Sequence, residues 1–218
     1  MLRIQELKLP LDHPEPALRQ AILKRLALAD QNLTAFTVFK RAYDARKTSA
    51  IQLIYTIDAE VKDEASVLKR LEKDKQIGRT PDISYRQVTT APASTKRPVV
   101  VGMGPCGLFA GLILAEMGFN PIILERGKIV RERTVDTFKF WRKAILDPSS
   151  NAQFGEGGAG TFSDGKLYSQ IKDPRHLGRK VLTEFVEAGA PDEILFVSKP
   201  HIGTFRLVTM VESIRAKI

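Results

Sequence analysis

Gly102, Gly104 and Gly107 stand in the string VVVGMGPCGLFAG at the spacing GxGxxG, directly after three valines and before an apolar run. Each glycine has a mechanical use in a strand–turn–helix that holds a dinucleotide. Gly102 lets the chain turn, Gly104 has no Cβ to block a pyrophosphate, and Gly107 lets the helix lie close to the sheet. Pro105 and Cys106 complete the turn. A pyrophosphate would sit where the unpaired N–H groups and the positive dipole end of the helix point outward. Glu125 ends a second apolar run 23 residues after Gly102, where an acid accepts hydrogen bonds from ribose hydroxyls. With no second cysteine to form a redox pair, Cys106 reads as a small packing residue.

A second glycine-rich loop, NAQFGEGGAGTFSDGK, runs from Asn151 to Lys166. Its five glycines exceed what packing asks for and suit backbone held close to a ligand. The stretch from Gly160 to Lys166 also matches GxxxxGK, but Leu167 stands where a triphosphate loop needs the hydroxyl that holds Mg²⁺. TFSDG lacks the first glycine of a nucleophile elbow, having Thr161 there. Arg126, Arg131 and Arg133 are either phosphate-neutralising groups or solvated helix arginines. His13, His176 and His201 have no metal-ligand spacing, and only His201, in KPHIGT, is placed to approach this region.

These residues need elements to position them. From Leu2 to Val88 the hydrophobic period changes in the order βαββαβ. A strand over Leu2 to Leu9 leads to a helix capped by Asp12 with Leu18, Ile22 and Leu26 on one face. Strands over Leu33 to Tyr43 and Ser49 to Val61 form a hairpin, Asp63 starts a second helix, and Ile83 to Val88 gives a last strand. That order predicts an α+β ferredoxin-like domain over 1–88. TTAPASTKR, 89–97, has no periodicity and reads as a linker. Residues 98–218 then read as an incomplete α/β Rossmann-type domain, truncated at its C-terminus. Its last helix, carrying Leu207, Met210, Val211 and Ile214, is expected to lack a complete sheet to cover.

At 218 residues, 43% apolar and 27% charged, the chain is globular rather than fibrous or disordered. One cysteine excludes an iron–sulfur ferredoxin. The start lacks a secretory pattern, and the uncharged stretch from Pro98 to Ala115 holds two prolines and four glycines, which suits strand, turn and helix better than a membrane span. A cytoplasmic protein is expected. Of the net charge of +9, most lies before Pro98, where 18 basic residues face 12 acidic ones. A basic N-terminal domain with Phe36, Phe39, Tyr43 and Tyr55 in its strands opens a different reading: a nucleic-acid- or protein-binding regulator with a nucleotide-sensing second domain.

The pair GMGPCGLFAGLILAEMGFNPIILERG and NAQFGEGGAGTFSDGKLYSQIKD resembles the uncharacterised FAD-dependent dehydrogenases of bacteria, flavoproteins related in fold to the glutathione reductase and geranylgeranyl reductase groups. Gly111 and the run Glu125-Arg126-Gly127 fit the FAD form of the fingerprint. The resemblance covers the whole chain, although members of that family are much longer. It implies that Gly102, Gly104, Pro105, Cys106, Gly107, Glu125 and Arg126 surround the ADP half of FAD. Gly157, Gly158, Ala159, Gly160, Thr161, Ser163, Asp164 and Lys166 would then approach the flavin half. A nicotinamide nucleotide, NAD(P)H, is the implied electron donor, the substrate is open, and NAD itself in the GxGxxG turn remains an alternative because Glu125 suits either dinucleotide.

Overall fold

The computed structural model describes residues 1–169 and 171–218. It is a mixed α+β structure with a four-stranded antiparallel sheet and a two-stranded parallel sheet. The chain forms two compact units, Met1–Ile83 with Leu195–Ser198, and Ser84–Ile194 with Lys199–Ile218.

In the first unit β1 (Leu2–Pro10), α1 (Pro16–Leu26), β2 (Leu33–Asp44), β3 (Gln52–Val61), α2 (Glu64–Arg70) and β4 (Ile77–Arg79) follow in order. The sheet order is β2-β3-β1-β4. Leu18, Ile22 and Leu26 of α1 and Val67 of α2 share one core with Leu2, Ile4, Leu53, Tyr55 and Ile57. Simple alternation in β1 would put Glu6 on the buried side. Instead Ile4 faces Ile57 and Leu7 faces Tyr55, so β1 carries one extra residue there, and Glu6 takes φ 56°. The bulge turns Leu7 into the core.

Helix α1 starts with Pro16 in its first turn and Glu15 at the N-cap, not at Asp12; the fixed φ of proline favours that entry. The last strand also departs from expectation, lying at Ile77–Arg79 rather than Ile83–Val88. After α2 the chain turns on Asp74, whose carboxylate accepts the Gln76 N–H and whose carbonyl accepts the Ile77 N–H, both at 3.0 Å. This turn delivers Ile77 opposite Ile4. The nearest apolar residue therefore takes the strand position.

The aromatics read as a possible stacking platform are mostly committed elsewhere. Phe36 packs on the core, Tyr55 is buried with its hydroxyl 2.8 Å from His13 Nε2, and Phe39 lies 3.6 Å beneath the Arg3 guanidinium, which is itself paired with Asp58 through two bonds of 2.8 Å. Only Tyr43 of the four is exposed. Residues 195–198 add to the outer edge of β2: the Arg41 N–H donates to Phe196 O (2.7 Å) and the Ser198 N–H to Arg41 O (2.8 Å).

The second unit contains β5 (Val99–Val101), α3 (Pro105–Glu116), β6 (Ile122–Leu124), α4 (Val130–Lys143), α5 (Leu177–Glu187) and α6 (Thr204–Lys217). Strands β5 and β6 pair in parallel across α3. Leu108 and Leu112 of α3 pack with Leu207, Met210 and Ile214 of α6 and with Ile194. Leu207, Met210, Val211 and Ile214 of α6 are all buried, because the helix packs on α3 instead of covering a sheet. Val99, Val101, Ile122 and Leu124 of the two-stranded sheet are among the exposed apolar residues. Among the described residues no helix is long and apolar enough to cross a membrane.

Candidate functional site

Gly102 has φ 93°, a conformation that side chains rarely adopt, and its N–H donates to Leu124 O at 2.6 Å, so the chain turns over the end of β6. Gly104 caps α3 and Pro105 opens it. At Gly107 a Cβ would lie 1.9 Å from the carbonyl oxygen of Gly102, so the turn closes only on glycine. Glu125 is half-buried beneath. Its Oε2 accepts the Met103 N–H (2.6 Å) and its Oε1 the Gly127 N–H (2.9 Å). One carboxylate thus fixes both turns, and each oxygen keeps a further lone pair.

The second glycine loop docks on the first. The Gly157 N–H donates to Met103 O (2.8 Å), and a Cβ on Gly158 would come within 2.8 Å of Pro105 Cδ. What holds this loop is a group whose role the sequence left undecided. Arg133 of α4 is neither solvated nor directed at a phosphate: it is fully buried. Its Nε donates to Asn151 O (2.8 Å), Nη1 to Glu156 O (2.7 Å) and Gly158 O (2.8 Å), and Nη2 to Ala152 O (2.9 Å). Burial pulls its pKa below the usual arginine value, with the charges of Glu125 and Glu156 opposing that shift. Glu156, unremarked in the sequence, is also buried. Its carboxylate caps α4 by accepting the Val130 N–H (2.6 Å) and receives Arg215 Nη1 at 2.6 and 2.8 Å.

The remaining expected residues divide. Cys106 is an exposed free thiol. Arg126 is exposed with its guanidinium 3.9 Å over Phe154, and Arg131 pairs through two bonds of 2.7 Å with Glu212. Ala159, Gly160 and Thr161 lie in a 3-10 turn, Ala159–Phe162. The Ser163 hydroxyl donates to Gly160 O (2.7 Å) and accepts the Gly165 N–H (3.1 Å). Lys166 sits 3.2 Å from Asp164, whose carboxyl is held below its ordinary pKa first by that lysine and also by His201. Backbone bonds from Leu167 to Pro200 (2.9 Å) and from Ile202 to Gly165 (3.0 Å) bring His201 beside this pair.

Residues 1–60 match a domain of unknown function (DUF8436). Over 224 aligned residues the chain is 42% identical to an uncharacterised protein of Clostridium beijerinckii (strain ATCC 51743 / NCIMB 8052). The match takes in 100% of this chain and 40% of that protein, so the chain spans about two-fifths of the length of the curated relative it matches.

Two cavities flank the second loop. The smaller, of about 220 Å³, brings together Pro105 with Gly157, Gly160, Thr161, Ser163 and Lys166, residues drawn from both glycine loops. The larger, of about 480 Å³, is lined mainly by aromatic side chains and threonines. Thr161 lines both, and its buried Oγ1 has no hydrogen-bond partner among the described residues. The glycines also divide: the space a Cβ would take is filled by Arg133 at Gly155 and by Thr161 at Gly157, whereas among the described residues, chain neighbours aside, nothing lies within 4 Å at Gly102 or Gly160, and at Gly104 only the Gly158 Cα approaches, at 3.9 Å. Backbone at Gly102, Gly104 and Gly160 is therefore open to a close-approaching ligand, and the residues fit a dinucleotide.

Proposed function

We propose that the second unit binds FAD and that the protein is an FAD-dependent oxidoreductase with a nicotinamide nucleotide as electron donor. The observation that carries this reading is the docking of the two glycine loops above Glu125, which leaves Gly102, Gly104 and Gly160 clear of side chains. The amides of Cys106 and Gly107 at the start of α3 are the groups that would face the pyrophosphate. The free lone pairs of Glu125 would accept the ribose hydroxyls. Gly157, Gly160 and Ser163 would border the flavin end, with Lys166 supplying positive charge there. FAD, when bound, supplies the hydride chemistry.

The same reading takes the first unit as ferredoxin-like and the second as Rossmann-type. Support for the former is the order β2-β3-β1-β4, with β3 inserted between the two strands that α1 connects. The parallel β5-α3-β6 unit with its glycine turn supports the latter.

The test is FAD titration, followed by flavin fluorescence, into this chain and into the full-length Clostridium beijerinckii relative, with the visible spectrum of each recorded on purification. Saturable binding that Gly104→Val removes supports the reading. Failure of both proteins to take up FAD overturns it.

A further inference from the structure

The two-stranded sheet of the second unit is covered on one face only. Val100 of β5 and Ile123 of β6 point to α3: a Cβ on Gly107 would lie 3.5 Å from Val100 Cγ1, and Ile123 packs against the core that holds Leu108 and Leu112. Side chains alternate across a strand, so Val99, Val101, Ile122 and Leu124 share the opposite face. They are 55%, 84%, 37% and 53% exposed. The register sets Val99 beside Ile122 and Val101 beside Leu124, which joins the four into one apolar patch.

The edges of this sheet are open as well. The Ile122 N–H donates to Pro98 O (2.8 Å) and the Gly102 N–H to Leu124 O (2.6 Å), so Ile122 and Leu124 direct their peptide groups toward β5. Alternation then turns the N–H and C=O groups of Val99 and Val101 outward from β5, and those of Ile123 outward from β6. Among the described residues none of these groups makes a backbone hydrogen bond outside the β5–β6 pair. Parallel sheets are ordinarily covered on both faces, and an unpaired strand edge is a template for a further strand. None of the four patch residues is charged or polar, and open amides in strand conformation match another strand rather than a nucleic acid or a small anion.

The source of such strands is indicated by the Clostridium beijerinckii relative. This whole chain matches 40% of that protein, so about three-fifths of its polypeptide has no counterpart here. We infer that the bare face and open edges of the β5–β6 sheet are the docking surface for polypeptide equivalent to that unmatched three-fifths, which adds strands at the edges and lays apolar side chains over Val99, Val101, Ile122 and Leu124. This inference makes no use of the FAD reading and is tested apart from it.

The experiment compares this chain with the full-length relative. By hydrogen exchange, the amides of Val99, Val101 and Ile123 should exchange freely in this chain, and those at the aligned positions of the relative should be slowed at least about 100-fold. A lysine substitution gives a second readout. Val101→Lys in this chain puts a charge into water and should move the melting temperature by no more than about 2 °C. Lysine at the aligned position of the relative buries that charge among apolar groups and should lower its melting temperature by at least about 5 °C.

Equally fast exchange in the two proteins, or an equal effect of lysine in both, would overturn the inference. Slow exchange at Val99, Val101 and Ile123 in the monomeric chain would do the same, because the cover would then lie within these 218 residues. So would a dimer of this chain, seen by light scattering, that Val101→Lys dissociates: the occupant would then be a second copy.

Discussion

Replacing Arg133 with Met keeps an unbranched apolar stem and deletes the guanidinium that gathers the second glycine loop. Four backbone carbonyls, of Asn151, Ala152, Glu156 and Gly158, then lose their donor in a buried place. At roughly 1.5–3 kcal/mol for each bond to a charged group, the gross loss is on the order of 6–12 kcal/mol. Against this, Met spares the cost of burying the charge, several kcal/mol after relaxation. The balance is a loss of about 3–5 kcal/mol, in the range seen when a buried charge is parted from its partners. With a urea slope near 2 kcal/mol per molar, the unfolding midpoint of the second unit should fall by roughly 2 M. Trp141, on the same helix as Arg133, makes its emission the natural probe. Arg133→Lys should recover only part of the loss, because one ammonium cannot span four carbonyls on different sides of a planar fork. A midpoint unchanged in Arg133→Met, or fully restored in Arg133→Lys, would refute the claim that the guanidinium organises the loop.

Gly107→Ala should destabilise the second unit and abolish FAD binding together, since the new methyl would meet the Gly102 carbonyl at 1.9 Å; a thermal melt matching wild type would contradict this. Glu125→Ala should weaken FAD binding about 10- to 150-fold, from the loss of charge-assisted bonds worth roughly 1.5–3 kcal/mol, and should loosen both turns through Met103 and Gly127. An unchanged dissociation constant would place the ribose elsewhere. For pH, desolvation raises the Glu184 carboxyl, but Lys180 and Lys217 outweigh it and hold the group below its ordinary value of 4.5. A depressed carboxylate contributes stability above the unfolded value and loses it as pH falls through the folded one. Trp141-detected stability should therefore drop below about pH 4.5, and Glu184→Gln should lower stability at neutral pH while flattening that acid limb. Equal slopes for the two proteins would count against the network.

Much of the architecture was legible because period and punctuation agree: the hairpin between Leu33 and Val61, α2 after Asp63, and the strand–turn–helix at Gly102 all follow local pattern. β4 was not, since the apolar alternation at Ile83 to Val88 resembles a strand more than Ile77-Gly-Arg does, and only the tertiary requirement to meet Ile4 decides between them. The glycines of the second loop were legible as special but not as to purpose. Gly155 makes room for the Arg133 stem and Gly157 for Thr161, so part of the richness is packing. Arg133 escaped because an arginine on an amphipathic helix looks solvated, and only long-range carbonyls, 18 to 25 residues away, reveal it. Glu156 did leave a trace. It is an acid set among glycines in a loop with no nearby cation in sequence; its burial, visible only in the fold, is what requires partners, and Arg215 and the start of α4 supply them.

The strip at Leu195–Ser198 has a bearing on biosynthesis. The N-terminal sheet obtains its outermost backbone partner from residues made more than a hundred positions after Ile83. At roughly 5–20 residues per second, the ribosome would leave the β2 edge bare for something like 6–23 s. An open edge is a template for pairing with the nascent chains of neighbouring ribosomes.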